Sequence, residues 1–193
     1  MNIFAAVFDK SILDPLLGVL DKKSVKFWGT RGTVDYLVKK NFNANSVVSG
    51  FDFDGRLKTL DKKVFAGILA DKKKPSHLEE LRRLARDTSE VGSDSSEVEK
   101  LPSEPFDLVI VDLYPLDKKN FPESMDIGGQ ALIRAAIKNY KSVAVAFDNS
   151  SLGSLVDELI SNKGSTTLNF RKLQAQKAAK FIAEKGQLEA DSF

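Results

Sequence analysis

Apolar residues occur in short continuous runs that alternate with amphipathic segments of helical spacing. The clearest run covers residues 106–113 and is followed by Pro115, and residues 3–8 form a similar run. Continuous apolar runs of this length are typical of strands that are covered on both faces of a parallel sheet. The pattern therefore predicts an α/β fold of three layers, with a mostly parallel twisted sheet between helices.

The remaining segments extend this alternation along the chain. Shorter strands are predicted at residues 24–28, 45–49 and 142–147, and helices at residues 13–20, 33–40, 75–86, 128–138, 152–161 and 167–185. Residues 64–70 fit either a helix or a strand. In open parallel sheets, ligands bind beyond the carboxyl ends of the strands. Candidate site residues are therefore sought in the loops that follow strands.

The length of 193 residues is consistent with a single domain over residues 1–193. Between residues 87 and 104 the periodicity is lost and Ser, Thr, Glu, Gly and Asp dominate. Because the strand pattern resumes afterwards, this segment is predicted to be a flexible surface loop rather than a linker.

Composition excludes several classes of site. Without cysteine the protein has no disulfide, thiolate metal site or cysteine nucleophile, and the sequence has no evident cluster of metal ligands. The net charge of +2 gives no reason to expect a nucleic acid partner. No apolar run approaches the roughly 20 residues that span a bilayer, and the N-terminus lacks the features of a signal peptide. We therefore expect a cytoplasmic protein without a membrane partner.

Three loops carry the residue types that bind phosphate. Asp9-Lys10-Ser11 follows the first strand, Thr30-Arg31-Gly32-Thr33 follows the second, and Arg56-Leu57-Lys58-Thr59 follows Gly55. Cations, hydroxyls and backbone amides at a helix N-terminus together form an anion site. A structural role, in which Thr30 or Thr33 only caps a helix, is equally compatible with the second loop alone.

Acid–base chemistry would fall to lysine, carboxylate and tyrosine, since the chain has one histidine and no cysteine. The candidates at strand ends or in conspicuous loops are Lys58, Asp112, Tyr114, Asp126 and Lys138. Tyr114 could equally be a core or rim aromatic residue whose hydroxyl is hydrogen-bonded.

These segments, in this order, resemble the cyclohydrolase domain of the bifunctional purine-biosynthesis enzyme, which closes the ring of inosine monophosphate. The resemblance covers nearly the whole chain. It rests on the following elements: Phe8-Asp9-Lys10, Thr30 to Thr33, Arg56 to Thr59, Asp112-Leu113-Tyr114-Pro115, Asp126-Ile127-Gly128-Gly129 and Arg134 to Asn139. The chain ends after this region, so a stand-alone cyclohydrolase domain is expected, without the family's folate-dependent domain.

The resemblance implies a methylglyoxal-synthase-like fold and closure of a formylated aminoimidazole carboxamide ribonucleotide to inosine monophosphate with loss of water. It implies no metal or organic cofactor, and a homodimer is expected from it alone. The implied catalytic residues are Lys58, Tyr114, Asp126 and Lys138. The implied substrate-binding residues are Asp9, Lys10, Ser11, Thr30, Arg31, Gly32, Thr33, Arg56, Leu57, Thr59, Val111, Asp112, Ile127 and Gly128.

Several residues depart from the family pattern. Phe8 replaces a hydroxyl residue, Arg31 a glycine and Asp112 an asparagine, while Asp61 and Phe65 stand where histidines are usual. These changes are expected to affect substrate binding more than the fold.

The shared use of Asp126 and Lys138 also raises a geometric question. These residues are twelve positions apart, which is about 18 Å along one straight helix. They can serve one small group only if the chain bends near Gly128 or Lys138 lies beyond the helix end.

Two rival functions use the same fold. A methylglyoxal-synthase-like lyase would act on a triose phosphate, and the blocks Lys58-Thr59-Leu60 and Asp126 to Gly129 argue against it. A non-catalytic nucleotide-sensing module would keep the phosphate site but would not need Lys58, Tyr114 and Lys138 to lie close together.

Overall fold

A computed structural model of the chain describes residues 1–47, 59–87 and 102–193. The described strands form one five-stranded sheet in the order β3-β2-β1-β4-β5, and all four described pairings are parallel. The strands are β1 (Asn2–Val7), β2 (Lys26–Gly29), β3 (Ala44–Ser46), β4 (Leu108–Asp112) and β5 (Ala144–Ala146). The predicted α/β fold is confirmed, although β2, β4 and β5 are each shorter than the predicted segment. Residues 48–49 of the third predicted strand lie outside the described ranges.

Seven α-helices lie in the described ranges and follow the predicted order. They are α1 (Asp14–Leu17), α2 (Arg31–Lys39), α3 (Lys62–Leu69), α4 (Pro75–Asp87), α5 (Ile127–Lys138), α6 (Asn149–Ser161) and α7 (Leu168–Ala190). The ambiguous segment at residues 64–70 is helical and belongs to α3. The helix predicted at residues 13–20 is instead a 3-10 turn, Lys10–Leu13, followed by the single turn of α1.

The alternation of side chains along the strands produces two apolar cores. On one face of the sheet, Phe4 and Val109 pack with residues of α3, α5 and α7. On the other face, Ile3, Ala5 and Ile110 pack with residues of α1, α2 and α6. Helices thus cover both faces, as the continuous apolar runs predict.

The central strand β1 pairs with β2 on one side and with β4 on the other. The register places Ala5 opposite Gly29, and Val7 opposite Asp112. Because the strands are parallel, the loops after β1, β2 and β4 emerge at the same edge of the sheet.

Some predictions fall outside the described ranges. Arg56, Leu57 and Lys58 lie there, as do residues 88–101 of the loop predicted at residues 87–104. Within the three described ranges, no helix is long and apolar enough to cross a bilayer. The same ranges hold no group of three or more His, Asp or Glu side chains placed as metal ligands.

Candidate active site

Asp112 joins the ends of the two central strands. Its carbonyl oxygen accepts a hydrogen bond from Phe8 N at 3.3 Å, and its Oδ2 accepts one from Asp9 N at 3.0 Å. The carboxylate is therefore used in part to hold the loop after β1 against the loop after β4. An asparagine oxygen at this position would accept the same bond, so the replacement changes charge more than shape.

The loop after β1 is held by its own side chains. Asp9 Oδ1 accepts hydrogen bonds from Ser11 N at 2.9 Å and from Ser11 Oγ at 2.7 Å. The Ser11 hydroxyl, followed by the Ser11 backbone N–H, holds the pKa of Asp9 below its usual value. Lys10 Nζ donates to the Phe8 carbonyl oxygen at 2.7 Å. The ammonium therefore lies at the sheet edge, where an anion can reach it.

The loop after β2 adjoins this lysine. A Cβ atom at Gly32 would lie 3.6 Å from Lys10 Cε. Thr33 is fully buried, and its Oγ1 lies 3.4 Å from the Val7 N–H and 3.2 Å from Thr30 Oγ1. Thr30 is the N-cap residue of α2, but its side chain makes no capping hydrogen bond. Helix capping therefore does not explain why a residue with a hydroxyl group stands at position 30.

Asp126 connects the loop after β4 to the start of α5. Its Oδ1 accepts from Gly129 N at 2.6 Å, which caps the helix, and its Oδ2 accepts from Tyr114 N at 3.2 Å. A Cβ atom at Gly129 would lie 2.4 Å from Leu113 Cδ2. Glycine thus lets the helix approach β4 closely enough for both bonds.

Thr59 brings the third predicted loop to the same place. A Cβ atom at Gly128 would lie only 2.3 Å from Thr59 Oγ1. The hydroxyl of Thr59 therefore touches the first turn of α5, next to the Asp126 cap. The three residues before it in the predicted phosphate loop are outside the described ranges.

Tyr114 is not a core residue, because 54% of its surface is exposed. Its ring meets that of Phe8 edge-on, with centroids 5.1 Å apart and planes at 62°. Phe8 is also exposed, at 47%. Sequence reasoning treated Phe8 only as a departure from a family pattern. The available signal was a large aromatic residue at the carboxyl end of the first predicted strand, the edge where ligands of open parallel sheets are expected.

The sequence did not predict a cleft of about 320 Å³ beside the loop after β1. It lies between Asp9, Ser11 and the first turns of α6, where Asn149 and Gly153 form its wall. Its volume is about that of a small ligand group, and its position extends the surface around the loop after β1.

Lys138 lies apart from these residues. It is the last residue of α5, whereas Asp126 precedes the first, and the helix rise places them about 18 Å apart. Lys138 and Arg134 border a groove of about 560 Å³ between α3, α5 and α7. Within one chain, Lys138 is therefore not brought together with Tyr114 and Asp126.

The other predicted binding residues differ in what they can offer. The Val111 side chain is buried in the core, so only its main chain could meet a ligand. Ile127 is 63% exposed at the start of α5, and Arg31 is exposed at the start of α2. Of the two histidine replacements, Asp61 caps α3 through the Lys63 N–H at 2.7 Å, and Phe65 is partly buried against the core.

Comparison with known proteins supports the resemblance described above. No protein-family model matches the chain. The bifunctional purine biosynthesis protein PurH of Clostridium kluyveri is 34% identical over 184 residues, which is 89% of this chain and 33% of that protein. The PurH proteins of Bradyrhizobium diazoefficiens and Cutibacterium acnes are 33% and 35% identical, each over 90% of this chain and 32% of their own length.

Among solved structures, the crystal structure of ForH matches all of this chain and 95% of its own, with a TM-score of 0.75 and 24% identity. This likeness supports the fold alone. The chain spans about a third of the length of the curated relatives that it matches. The chain is therefore a homologue of one part of the bifunctional purine biosynthesis protein PurH.

Proposed function

We propose that the protein acts in purine biosynthesis as an inosine monophosphate cyclohydrolase, which closes the ring of the formylated aminoimidazole carboxamide ribonucleotide. One observation carries the proposal: loops from distant parts of the sequence meet at one edge of the sheet. Contacts link Lys10 to Gly32, Asp9 to Asp112, Tyr114 to Asp126, and Thr59 to Gly128. The names of the curated relatives support the choice of pathway.

The ribose phosphate would bind where the loops after β1 and β2 adjoin. Lys10 supplies an ammonium, Thr30 supplies a hydroxyl, and the first turn of α2 supplies backbone amides. The positive end of the α2 dipole favours the same anion. These donors match the several oxygens that one phosphate presents. Thr59, which lies against Gly128 at the start of α5, would instead contact the substrate nearer its ring.

The heterocycle would extend toward Tyr114 and Asp126. In the reaction the carboxamide nitrogen attacks the formyl carbon and loses one proton. The formamide nitrogen loses a second proton as its C=N bond forms, and the former formyl oxygen takes up two protons and leaves as water. The Tyr114 phenol can donate to that oxygen as negative charge develops on it. Because the carboxamide and the formyl group belong to the same substrate molecule, most of the translational entropy cost of bringing them together is already removed.

Asp126 is constrained in what it can contribute. Both of its oxygens accept backbone hydrogen bonds, from Gly129 N and Tyr114 N. We assign it first to holding Tyr114 in place and second to proton transfer through the remaining lone pairs. Lys58, a catalytic residue implied by the resemblance, is assigned with Tyr114 to orienting the formyl oxygen.

Lys138 can take part only if a second copy of the chain supplies it, because a lysine side chain is far shorter than the helix that separates it from Asp126. The proposal therefore includes a dimer in which each site receives Lys138 from the partner.

The direct test is turnover of the purified chain with the formylated precursor, followed by the absorbance of the purine product. Lys138→Ala and Asp126→Asn should each lower turnover, and Lys141→Ala, an exposed lysine just after α5, serves as the matched control. Absence of turnover by the wild-type chain would overturn the proposal.

The dimer is tested by mixing inactive Lys138→Ala with inactive Asp126→Asn. If sites are shared, mixed dimers contain one site with both wild-type residues, and activity should return. Lack of recovery in dimers shown to have exchanged would place Lys138 outside the catalytic group.

A non-catalytic nucleotide-binding module is the second candidate, and the position of Lys138 favours it. Such a module needs the phosphate donors but not a lysine beside Asp126. Tight binding of inosine monophosphate without any turnover of the precursor would select this function.

A further inference from the structure

Two large aromatic side chains are exposed side by side at the centre of the candidate site. Phe8 and Tyr114 are each about half exposed, and their rings form an edge-to-face pair. Ile127, a third exposed apolar residue, directly follows Asp126, whose carboxylate holds the Tyr114 backbone. Apolar surface gathered around polar ligand donors indicates a binding surface rather than a solvent-facing one.

The main chain around this pair is fixed by hydrogen bonds. Phe8 N donates to Asp112 O, and Phe8 O accepts from Lys10 Nζ. Tyr114 N donates to Asp126. Both backbones are therefore held before any ligand arrives, which lowers the entropy that binding would cost.

The pair also lies between the two ends of the proposed substrate. Phe8 connects to Lys10 at the phosphate end, and Tyr114 connects to Asp126 at the ring end. The part of a nucleotide between its phosphate and its reacting groups is the sugar and the planar heterocycle. An aromatic ring stacks on any flat heterocycle, with little dependence on its substituents.

We propose that Phe8 and Tyr114 form an aromatic surface for the face of a planar nitrogen heterocycle, and that Phe8 sets the preference of the site for nucleotides over simple sugar phosphates. This inference rests on the proposed function, since it assigns a role within the same site. Phe8 is a binding residue in this account and takes no part in proton transfer.

The test compares the binding of inosine monophosphate with that of ribose 5-phosphate by isothermal titration calorimetry. In Phe8→Ser the affinity for inosine monophosphate should fall about tenfold, in line with the loss of one base–aromatic stack, while ribose 5-phosphate binding stays unchanged. Phe8→Leu keeps apolar volume without a π face and should give a smaller loss. Leu173→Ser on α7, with nearly the same exposure at 48%, should change neither affinity.

The ratio of the two affinities separates stacking from a general structural effect. The inference would be overturned if Phe8→Ser lowered the affinity for both ligands equally, or for neither. It would also be overturned if the wild-type chain bound both ligands with equal affinity. If Phe8→Ser does not fold, Phe8→Leu decides, and wild-type affinity in that variant would overturn it.

Wild-type turnover, measured separately, distinguishes this failure from failure of the proposed function. A chain that turns over the precursor but keeps its affinity ratio in both Phe8 variants refutes the aromatic surface alone. If the Phe8 variants change the affinity ratio as expected but the wild-type chain never converts the precursor, the aromatic surface is supported and the cyclohydrolase function is refuted.

Discussion

The double role of Asp126 gives a prediction that can be worked from two distances. Its carboxylate caps α5 through Gly129 N at 2.6 Å and holds the Tyr114 backbone at 3.2 Å. Asp126→Ala removes the cap, which costs about 1 kcal/mol in typical helices. It also removes an acceptor from a partly exposed N–H, which adds up to about 1 kcal/mol, because water replaces the bond incompletely.

The sum is a loss of about 2 kcal/mol in the free energy of unfolding, and a chain of this size should then melt about 4–8 °C lower. Asp126→Asn keeps an oxygen for Gly129 N but turns an amide donor toward Tyr114 N, so it should lose about half as much. Thermal and urea unfolding, followed by circular dichroism, measure both losses.

The matched control is Asp117→Ala in the same connection. Asp117 caps only the short 3-10 turn Lys118–Asn120, through Lys119 N at 2.9 Å, and it is exposed. Its removal should cost less than about 0.5 kcal/mol. The control should therefore melt within about two degrees of the wild type. If Asp126→Ala also melted within that range, the structural role given to Asp126 would be wrong.

Two further predictions concern the sheet and the loop after β1. Gly29→Ala should abolish or severely impair folding, because its Cβ would lie 2.1 Å from Ala5 O on the neighbouring strand. The control Gly153→Ala on α6, where a Cβ meets nothing within 4 Å, should raise stability by about 0.5–1 kcal/mol in the same unfolding assay. Ser11→Ala should raise the pKa of Asp9 toward its usual value, as NMR titration of the carboxyl would show, because the Ser11 hydroxyl is the main cause of its depression. Since that pKa is lowered by folding, the associated stability is present at neutral pH and is lost as pH falls through the folded value; an unchanged Asp9 titration would contradict the assignment.

The sequence predicted the sheet well because burial on both faces leaves a continuous apolar run that few other structures require. It predicted the ends of elements less well. The segment after β1 carries leucines at helical spacing, yet Asp9 and Pro15 divide it into a 3-10 turn and one turn of helix. Capping of this kind depends on local hydrogen bonds that apolar spacing does not record.

The site was predicted in part for a similar reason. Strand ends could be assigned from sequence, so the meeting of Asp9, Thr33 and Asp112 followed from parallel topology. The separation of Lys138 from Asp126 was also predicted, from the rise of one straight helix. Spacing along one chain does not record whether a second copy would bring the two residues together. The Phe8–Tyr114 contact depends on the strand order, because β1 lies beside β4. Hydrophobic periodicity does not record that order.

The position of β1 in the middle of the sheet has a consequence for synthesis on the ribosome. β1 pairs with β2 within about 25 residues, but its other neighbour begins at Leu108. A nascent chain that has emerged only as far as α4 therefore leaves one edge of β1 without its strand partner. Asp112 and Asp126 reach the loop after β1 only once β4 and the start of α5 have left the exit tunnel. The loops proposed to bind phosphate are thus completed late in translation, and a ligand bound there would stabilise the fold only after that point.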